Sequence, residues 1–311
     1  MYLRSFLILV MTVCFAGSLL AQEGNKGGRA GAQYLKIGVA AQAAAMGEAY
    51  VAVGNDVSAC FYNPSGLTKL KASQAMFSNI SWPADISYNF VALALPVQSL
   101  GGAIAVQAAA LSTDDMIVRT PLRPEGTGQT FRAADYYVGL SYARDLTDHF
   151  TFGVTVKGLM EQAYGISATG WAVDLASMYY TGFESFRFGW NLSNFGPDMK
   201  FIDEAYALPV LITFGVAAEV FDNDFHRLTL AAQANRPNDN AERGSIGAEY
   251  CLRDILSLRI GYKINYDVEK LSLGAGVKVD LEPLGKIWFD YAYSDLTFLL
   301  RAHRITVGVE F

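Results

Sequence analysis

The chain has 311 residues, a formal net charge of −6 and 17% charged residues, while 52% are hydrophobic and 13% aromatic. That length suits one large domain or two ordinary ones. With Lys and Arg scattered singly and no basic stripe, a nucleic-acid binder is excluded; the low charge, set beside 17 Tyr, 19 Phe and 29 Gly, points to strands whose faces do not all meet water.

The chain opens MYLRSFLILVMTVCFAGSLLAQ. Arg4 is a one-charge n-region, Ser5 to Leu20 an apolar run, and Ala21 a small residue before Gln22. Residues 1–21 therefore read as a cleaved export signal. The apolar run is short for a membrane helix, which needs about 20 residues. Val13 before Cys14 fits a lipobox poorly, so a lipoprotein is not expected. Cleavage leaves Cys60 and Cys251, with no CxxC and no zinc spacing, and their pairing stays open.

Residues 22–71 do not alternate. Helix formers run from Ala40 to Met46, and Gly47 stops them. Asn55, Asp56 and Ser58 form one turn, and Asn63-Pro64-Ser65-Gly66 a second. An Ala- and Gly-rich segment of this kind suits close packing inside a restricted bore. It predicts a hatch in which Asn55, Asp56 and Asn63 bond to backbone and meet inward charges of a surrounding wall. A catalytic loop would need a partner for Asp56 and a His for Cys60; His149, His226 and His303 fall near strand ends, far apart. Asp56 and Asn63 are too few to hold a hard cation and lack calcium-loop spacing. No catalytic residue, metal or cofactor is expected.

From residue 72 to 311 the chain alternates. Leu256, Leu258, Ile260 and Tyr262 oppose Ser257, Arg259, Gly261 and Lys263; Phe150, Phe152, Val154 and Val156 oppose Thr151, Gly153, Thr155 and Lys157. Successive strand side chains face opposite ways, so one face is apolar and the other small, polar or charged. Turn clusters recur about every 15 to 20 residues, the spacing of tilted strands that cross a bilayer. Tyr136, Tyr137, Tyr142, Tyr179, Tyr180, Trp288, Tyr291 and Tyr293 crowd strand ends, as interfacial aromatics do.

Fourteen strand centres follow, near Phe77, Phe90, Val106, Val138, Val154, Val173, Phe188, Phe214, Leu230, Ala248, Ile260, Ala275, Phe289 and Val307. The strands before Leu111 are the weakest, because Val91, Leu93 and Leu95 blur the pattern. Lys157, Asp174, Arg187, Glu219, Glu249, Arg259, Lys263, Lys278, Asp290, Arg304 and Glu310 fall on the inward face, where both signs permit pairing. Ser112–Thr130, Pro197–Leu208 and Asn235–Arg243 read as long loops on one side. The expected fold is all-β: a transmembrane antiparallel barrel of about fourteen strands, with an N-terminal helical and irregular hatch in its lumen. Phe311 is a terminal aromatic on a final strand, the usual signal for outer-membrane barrel assembly.

Met46-Gly47, Ala49, Asn55-Asp56, Ala59, Tyr62-Asn63-Pro64 and Gly66-Leu67 together resemble the N-terminal signature of the PorV/PorQ family of outer-membrane proteins. The chain departs at Ser65, where that family usually has Ala, and at Asn55, where Asp is frequent. The resemblance extends less specifically over YYVGLSYARDLTDHFTFGVTVKGLMEQ, WAVDLASMYY and RFGWNLSNFG. It implies a FadL-like barrel with a hatch in a Gram-negative outer membrane. It also implies an accessory role in type IX secretion, with a translocon barrel or secreted proteins carrying C-terminal signal domains as partners. A second reading is a FadL-like passage for hydrophobic small molecules, with an apolar pocket between hatch and wall and a lateral opening at a strand kink, for which inward-facing Gly274 and Gly276 are candidates; ordinary packing against a plug is the other role for Gly there. An outer-membrane enzyme would need clustered His, Asp or Ser at one rim, and a diffusion porin an unobstructed bore.

Overall fold

The computed structural model describes residues 27–82, 86–281, 283, 285–296 and 301–311. The expected export signal lies outside them, as does part of the turn expected at Leu281–Gly285. The strands are β1 (Gln74–Trp82), β2 (Ile86–Val97), β3 (Gly102–Ser112), β4 (Met116–Ile117), β5 (Thr130–Phe131) and β6 (Ala133–Asp145). Then come β7 (Phe150–Ala163), β8 (Ile166–Tyr180), β9 (Arg187–Phe195), β10 (Met199–Phe201), β11 (Glu204–Tyr206) and β12 (Leu211–Asp222). The last six are β13 (His226–Pro237), β14 (Arg243–Leu252), β15 (Leu256–Ile264), β16 (Leu271–Asp280), β17 (Lys286–Asp295) and β18 (Arg301–Glu310). Apart from the small hairpins β4–β5 and β10–β11, the strands close into one barrel of fourteen, neighbour to neighbour, with β18 returning to β1. Every expected strand centre falls inside a barrel strand.

Side-chain alternation turns apolar residues out and polar residues in. On β6, Val138 and Leu140 are 60% and 59% exposed, while on neighbouring β7 Lys157 is 1% exposed. Phe77, Val106, Val156, Phe214, Leu258 and Val307 continue the outward apolar belt around the barrel. The blurred early strands follow the same rule with smaller residues. Val91 and Leu93 face out, while Ala92, Ala94, Ala103 and Ala105 face in, where they join the buried cluster formed with the internal segment. Tyr137 departs from the expected aromatic rim: it is buried, facing inward, with its ring 6.4 Å from that of Tyr34.

Gln74 and Glu310 pair at one end of the barrel, where the connections are short. The long connections 113–132 and 196–210 stand at the other, the loop end, together with 238–242 and 265–270. Two loop expectations need correction. The Pro197–Leu208 stretch carries the β10–β11 hairpin and folds inward, with Met199 and Leu208 buried. Asn235 and Arg243 belong to the wall, directly paired across β13 and β14, which leaves only 238–242 as a connection. Their polarity comes from facing the lumen.

The internal segment, largely buried from Ala32 to Leu70, occupies the bore. The helix Ala41–Ala45 packs on β15 to β18, and the 3₁₀ turn Pro64–Lys69 packs on β6 to β8. Gly47 ends the first helix at φ 66°, a conformation that Gly adopts without steric cost. Met46, Tyr50 and Leu67 are fully buried, each contributing about 1.5–3 kcal/mol of apolar burial. Cys60 and Cys251 are both buried and free, so no disulfide joins them.

Candidate functional site: the cavity between hatch and wall

Asn63 pins the internal segment. Its amide donates to the carbonyls of Val51 at 2.7 Å and Ser177 at 3.2 Å, linking hatch to hatch and hatch to wall. Its carbonyl oxygen accepts from the Ser65 backbone at 3.2 Å and the Ser65 hydroxyl at 2.6 Å, capping the turn that Pro64 opens. The Tyr62 carbonyl accepts from Asn191 of β9 at 2.9 Å, and its hydroxyl accepts from the Ala40 backbone at 3.2 Å. Asp56 accepts from the Ser58 backbone at 2.9 Å and from the Tyr50 hydroxyl at 3.2 Å, so it serves its own turn. Asn55 is exposed.

Close backbone approach fixes where the segment lies. A Cβ on Gly261 of β15 would stand 1.9 Å from the Gly47 nitrogen, and one on Gly153 of β7 would stand 2.3 Å from the Ser65 nitrogen. A Cβ on Gly66 would stand 2.1 Å from the Gly54 carbonyl oxygen. Gly274 lies against Ala45, and Gly276 lies against the Asp290 and Arg259 side chains. The glycines that offered a lateral opening are therefore packing positions.

Inward charges pair within the wall and with the hatch. Lys157 meets Asp174 at 2.6 Å, Arg187 meets Glu219 at 2.7 Å, and Arg259 bridges Glu249 and Asp290 at 2.5 Å each. From the hatch, Glu48 meets Arg304 at 3.1 Å, Lys36 meets Asp239 at 2.8 Å and Lys69 meets Asp145 at 3.3 Å. Gln33 also donates to Asp239, at 2.6 Å. Burial would raise the Asp239 carboxyl, but the bonds from Lys36 and Gln33 overcome it and hold the group below the usual carboxylate range. Glu269, in the connection between β15 and β16, is lowered in the same sense: the Lys263 charge outweighs its burial.

Between this hatch and the wall lies a cavity of about 390 Å³ that reaches the loop end. Leu35, Ile37, Val51, Phe61 and Trp82 give it an apolar side. The rest of the lining is polar, with Asn191, Ser193, Thr213, Gln233 and Asn235, or charged, with Lys36, Glu48, Lys157, Arg243, Lys263, Glu269 and Arg304. The pocket is thus mixed in chemistry rather than the purely apolar space expected from sequence.

Of the hatch residues marked in the sequence, Tyr62 lines this cavity, as do the inward charges Lys157, Lys263 and Arg304; Met46, Gly47, Asp56, Asn63, Pro64 and Gly66 shape the hatch around it. Phe311 follows β18, exposed, with its amide bonded to the Ser73 carbonyl at 2.9 Å. Glu48, Lys36, Asn191, Asn235 and Arg243 were not singled out. For Asn191, Asn235 and Arg243 the available signal was polar residues at alternate positions in β9, β13 and β14; Lys36 and Glu48, in the non-alternating hatch, carried none. Burial pushes the Cys60 thiol up, which keeps it protonated and unreactive. The histidines stand apart, His149 in the turn between β6 and β7 and the others on β13 and β18, each beside a tyrosine: His149 with Tyr179, His226 with Tyr250 and His303 with Tyr291. No group of three or more metal-ligating side chains gathers among the described residues.

A closed antiparallel barrel of fourteen strands, apolar outside, charged inside and filled by its own N-terminal segment, has the fold of FadL-like barrels. It is similar to the Ralstonia pickettii toluene transporter TbuX, with 15% identity and a TM-score of 0.59 over 88% of this chain and 98% of that one. It is also similar to the CymD monoaromatic hydrocarbon channel, at 12% identity and TM-score 0.61 over the same shares of the two chains. A third similar structure is a Pseudomonas aeruginosa FadL homologue, at 11% identity and TM-score 0.54, again over 88% of this chain and 98% of that one. No protein-family model and no curated protein matches the chain.

Proposed function

We propose that the protein is a small-molecule passage of a Gram-negative outer membrane, taking solute from the loop end into the cavity between hatch and wall. The observation that carries this reading is the cavity itself, about 390 Å³ and continuous with the loop end. The likeness to toluene and monoaromatic hydrocarbon channels supports it, and the apolar side of the cavity suits the nonpolar part of a solute. On this reading residues 1–21 direct export, 22–71 form the hatch and 72–311 the barrel, with outer-membrane lipid around the apolar belt. Met46, Gly47, Asn55, Asp56, Tyr62, Asn63, Pro64 and Gly66 serve the hatch structurally, and Phe311 serves barrel assembly. No residue acts as a catalyst.

The test is solute entry into proteoliposomes holding the purified barrel. Entry of small solutes faster than into protein-free vesicles is expected; equal rates would contradict the proposal. An accessory role in type IX secretion is the second reading. It draws on the resemblance of the hatch motif and on the bonds at Asn63, Gln233 and Arg187 that keep the bore plugged. Recovery of a larger translocon barrel by pull-down from solubilised outer membranes would favour it. The comparisons favour the passage.

A further inference from the structure

We infer that the cavity binds a small hydroxylated organic anion of the sugar-acid kind, held by Arg243 and Asn191. The inference rests on the small-molecule reading and names the class of molecule.

The strand register sets Asn191, Thr213, Asn235 and Arg243 directly abreast across four consecutive strands, β9, β12, β13 and β14. All four line the cavity. Within the row, Thr213 donates to Asn235 at 3.1 Å, yet both ends are left open. The carbonyl oxygen of Asn191 and the Nε of Arg243 are buried without a hydrogen-bond partner. So are the Nε of Arg304 and one carboxylate oxygen of Glu48, which also line the cavity. Asn191 is 4% exposed and Arg304 7%, so bulk water does not serve them freely.

These open groups specify a ligand. Two are donors and two are acceptors, so a hydrocarbon would leave all four unsatisfied. A bare anion would satisfy the two guanidinium nitrogens and leave Asn191 and Glu48 wanting a donor. A carboxylate that also carries hydroxyls satisfies both sets.

The charge balance agrees. Lys36, Lys157, Lys263 and Arg304 each meet a carboxylate, at 2.8, 2.6, 2.6 and 3.1 Å. Among the described residues, Arg243 alone of the cavity's cations has no carboxylate within salt-bridge distance. Its guanidinium lies over Tyr266, with Cζ 4.7 Å from the ring centroid, and a planar guanidinium is the side chain best suited to pair with a carboxylate. The Trp82 side chain, which lines the cavity, supplies flat surface for the carbon face of a pyranose ring. A cavity of about 390 Å³ is at the small-ligand end of binding pockets, the size of one such ring with ordered water.

The test is calorimetric titration of the detergent-purified full chain with D-glucuronate, alongside glucose, which lacks the charge, and benzoate, which lacks the hydroxyls. Glucuronate is expected to bind, with glucose and benzoate each about tenfold weaker or more. Arg243→Gln should weaken glucuronate about tenfold, and Arg243→Lys should restore part of the loss. Heat-modifiable gel migration verifies that both variants close the barrel. Absence of glucuronate binding, equal binding by wild type and R243Q, or benzoate binding as tightly as glucuronate would overturn the inference. Proteoliposome entry separates this failure from that of the parent reading. Solute entry without glucuronate binding sinks only the ligand class, whereas absence of entry for every solute sinks the passage.

Discussion

At the scale of single residues, Asn63 and the wall glycines carry the most structural weight. Asn63 makes four hydrogen bonds from a fully buried side chain, two to carbonyls and two to Ser65. Asn63→Ala removes a cap and leaves buried carbonyls unpaired, a loss of about 2–3 kcal/mol. The expected outcome is a lower melting temperature in detergent and faster exchange of amides 51–66, with the barrel still closed. Gly261→Val tests the close approach. Its side chain would enter space held by Gly47 and Met46 backbone, which cannot yield as a flexible side chain would. Protease sensitivity of the hatch is expected to rise, whereas Gly158→Val, at a wall position with nothing within 4 Å of its Cβ, should leave it unchanged.

At the scale of elements, the N-terminal end of the hatch is clasped to the loop end. Gln33 and Lys36 both bond to Asp239, and Gly31 donates to the Ala207 carbonyl at 3.1 Å. Asp239 is held below its ordinary range, so the stability it contributes is full above the unfolded value of about 3.9 and falls as pH drops through the lower folded value. Amides 33–38 are expected to stay protected between pH 5 and 8, in round numbers, and to lose protection below about pH 4, as hydrogen exchange would show. Asp239→Asn should bring that release to neutral pH, because Lys36 is left without its counter-charge, at about 1–3 kcal/mol. The sequence did not reveal this clasp. Asp239 sits in a stretch whose composition, RPNDNAER, reads as plain loop, and only strand pairing shows that its flanks are wall.

At the scale of the molecule, the barrel was legible, whereas the polar half of the cavity lining was not. Alternation survives along β7, β15 and β18 because lipid-facing and lumen-facing positions demand opposite chemistry at every second residue. Even β2, where Val91 and Leu93 blurred the pattern, obeys it once Ala92 and Ala94 are seen to face a packed segment rather than water. Pairing among inward charges was foreseeable in kind, but not in partners. Arg304 reaches Glu48 across 256 positions of sequence, a proximity that only closure of the barrel around the hatch creates. For the same reason Asn191, Asn235 and Arg243 gave no local motif: they come from three strands and meet only through register.

The most direct test of the whole account is amide hydrogen exchange on the detergent-folded protein, comparing residues 41–66 with the barrel strands. A segment packed in the bore, with the Val51 amide bonded to Gln233 at 3.0 Å and the Ala41 amide to Thr306 at 2.9 Å, should exchange about as slowly as β13 and β18 do. Exchange at the rate of an unfolded peptide would place the segment outside the barrel and remove the cavity that the proposed function requires.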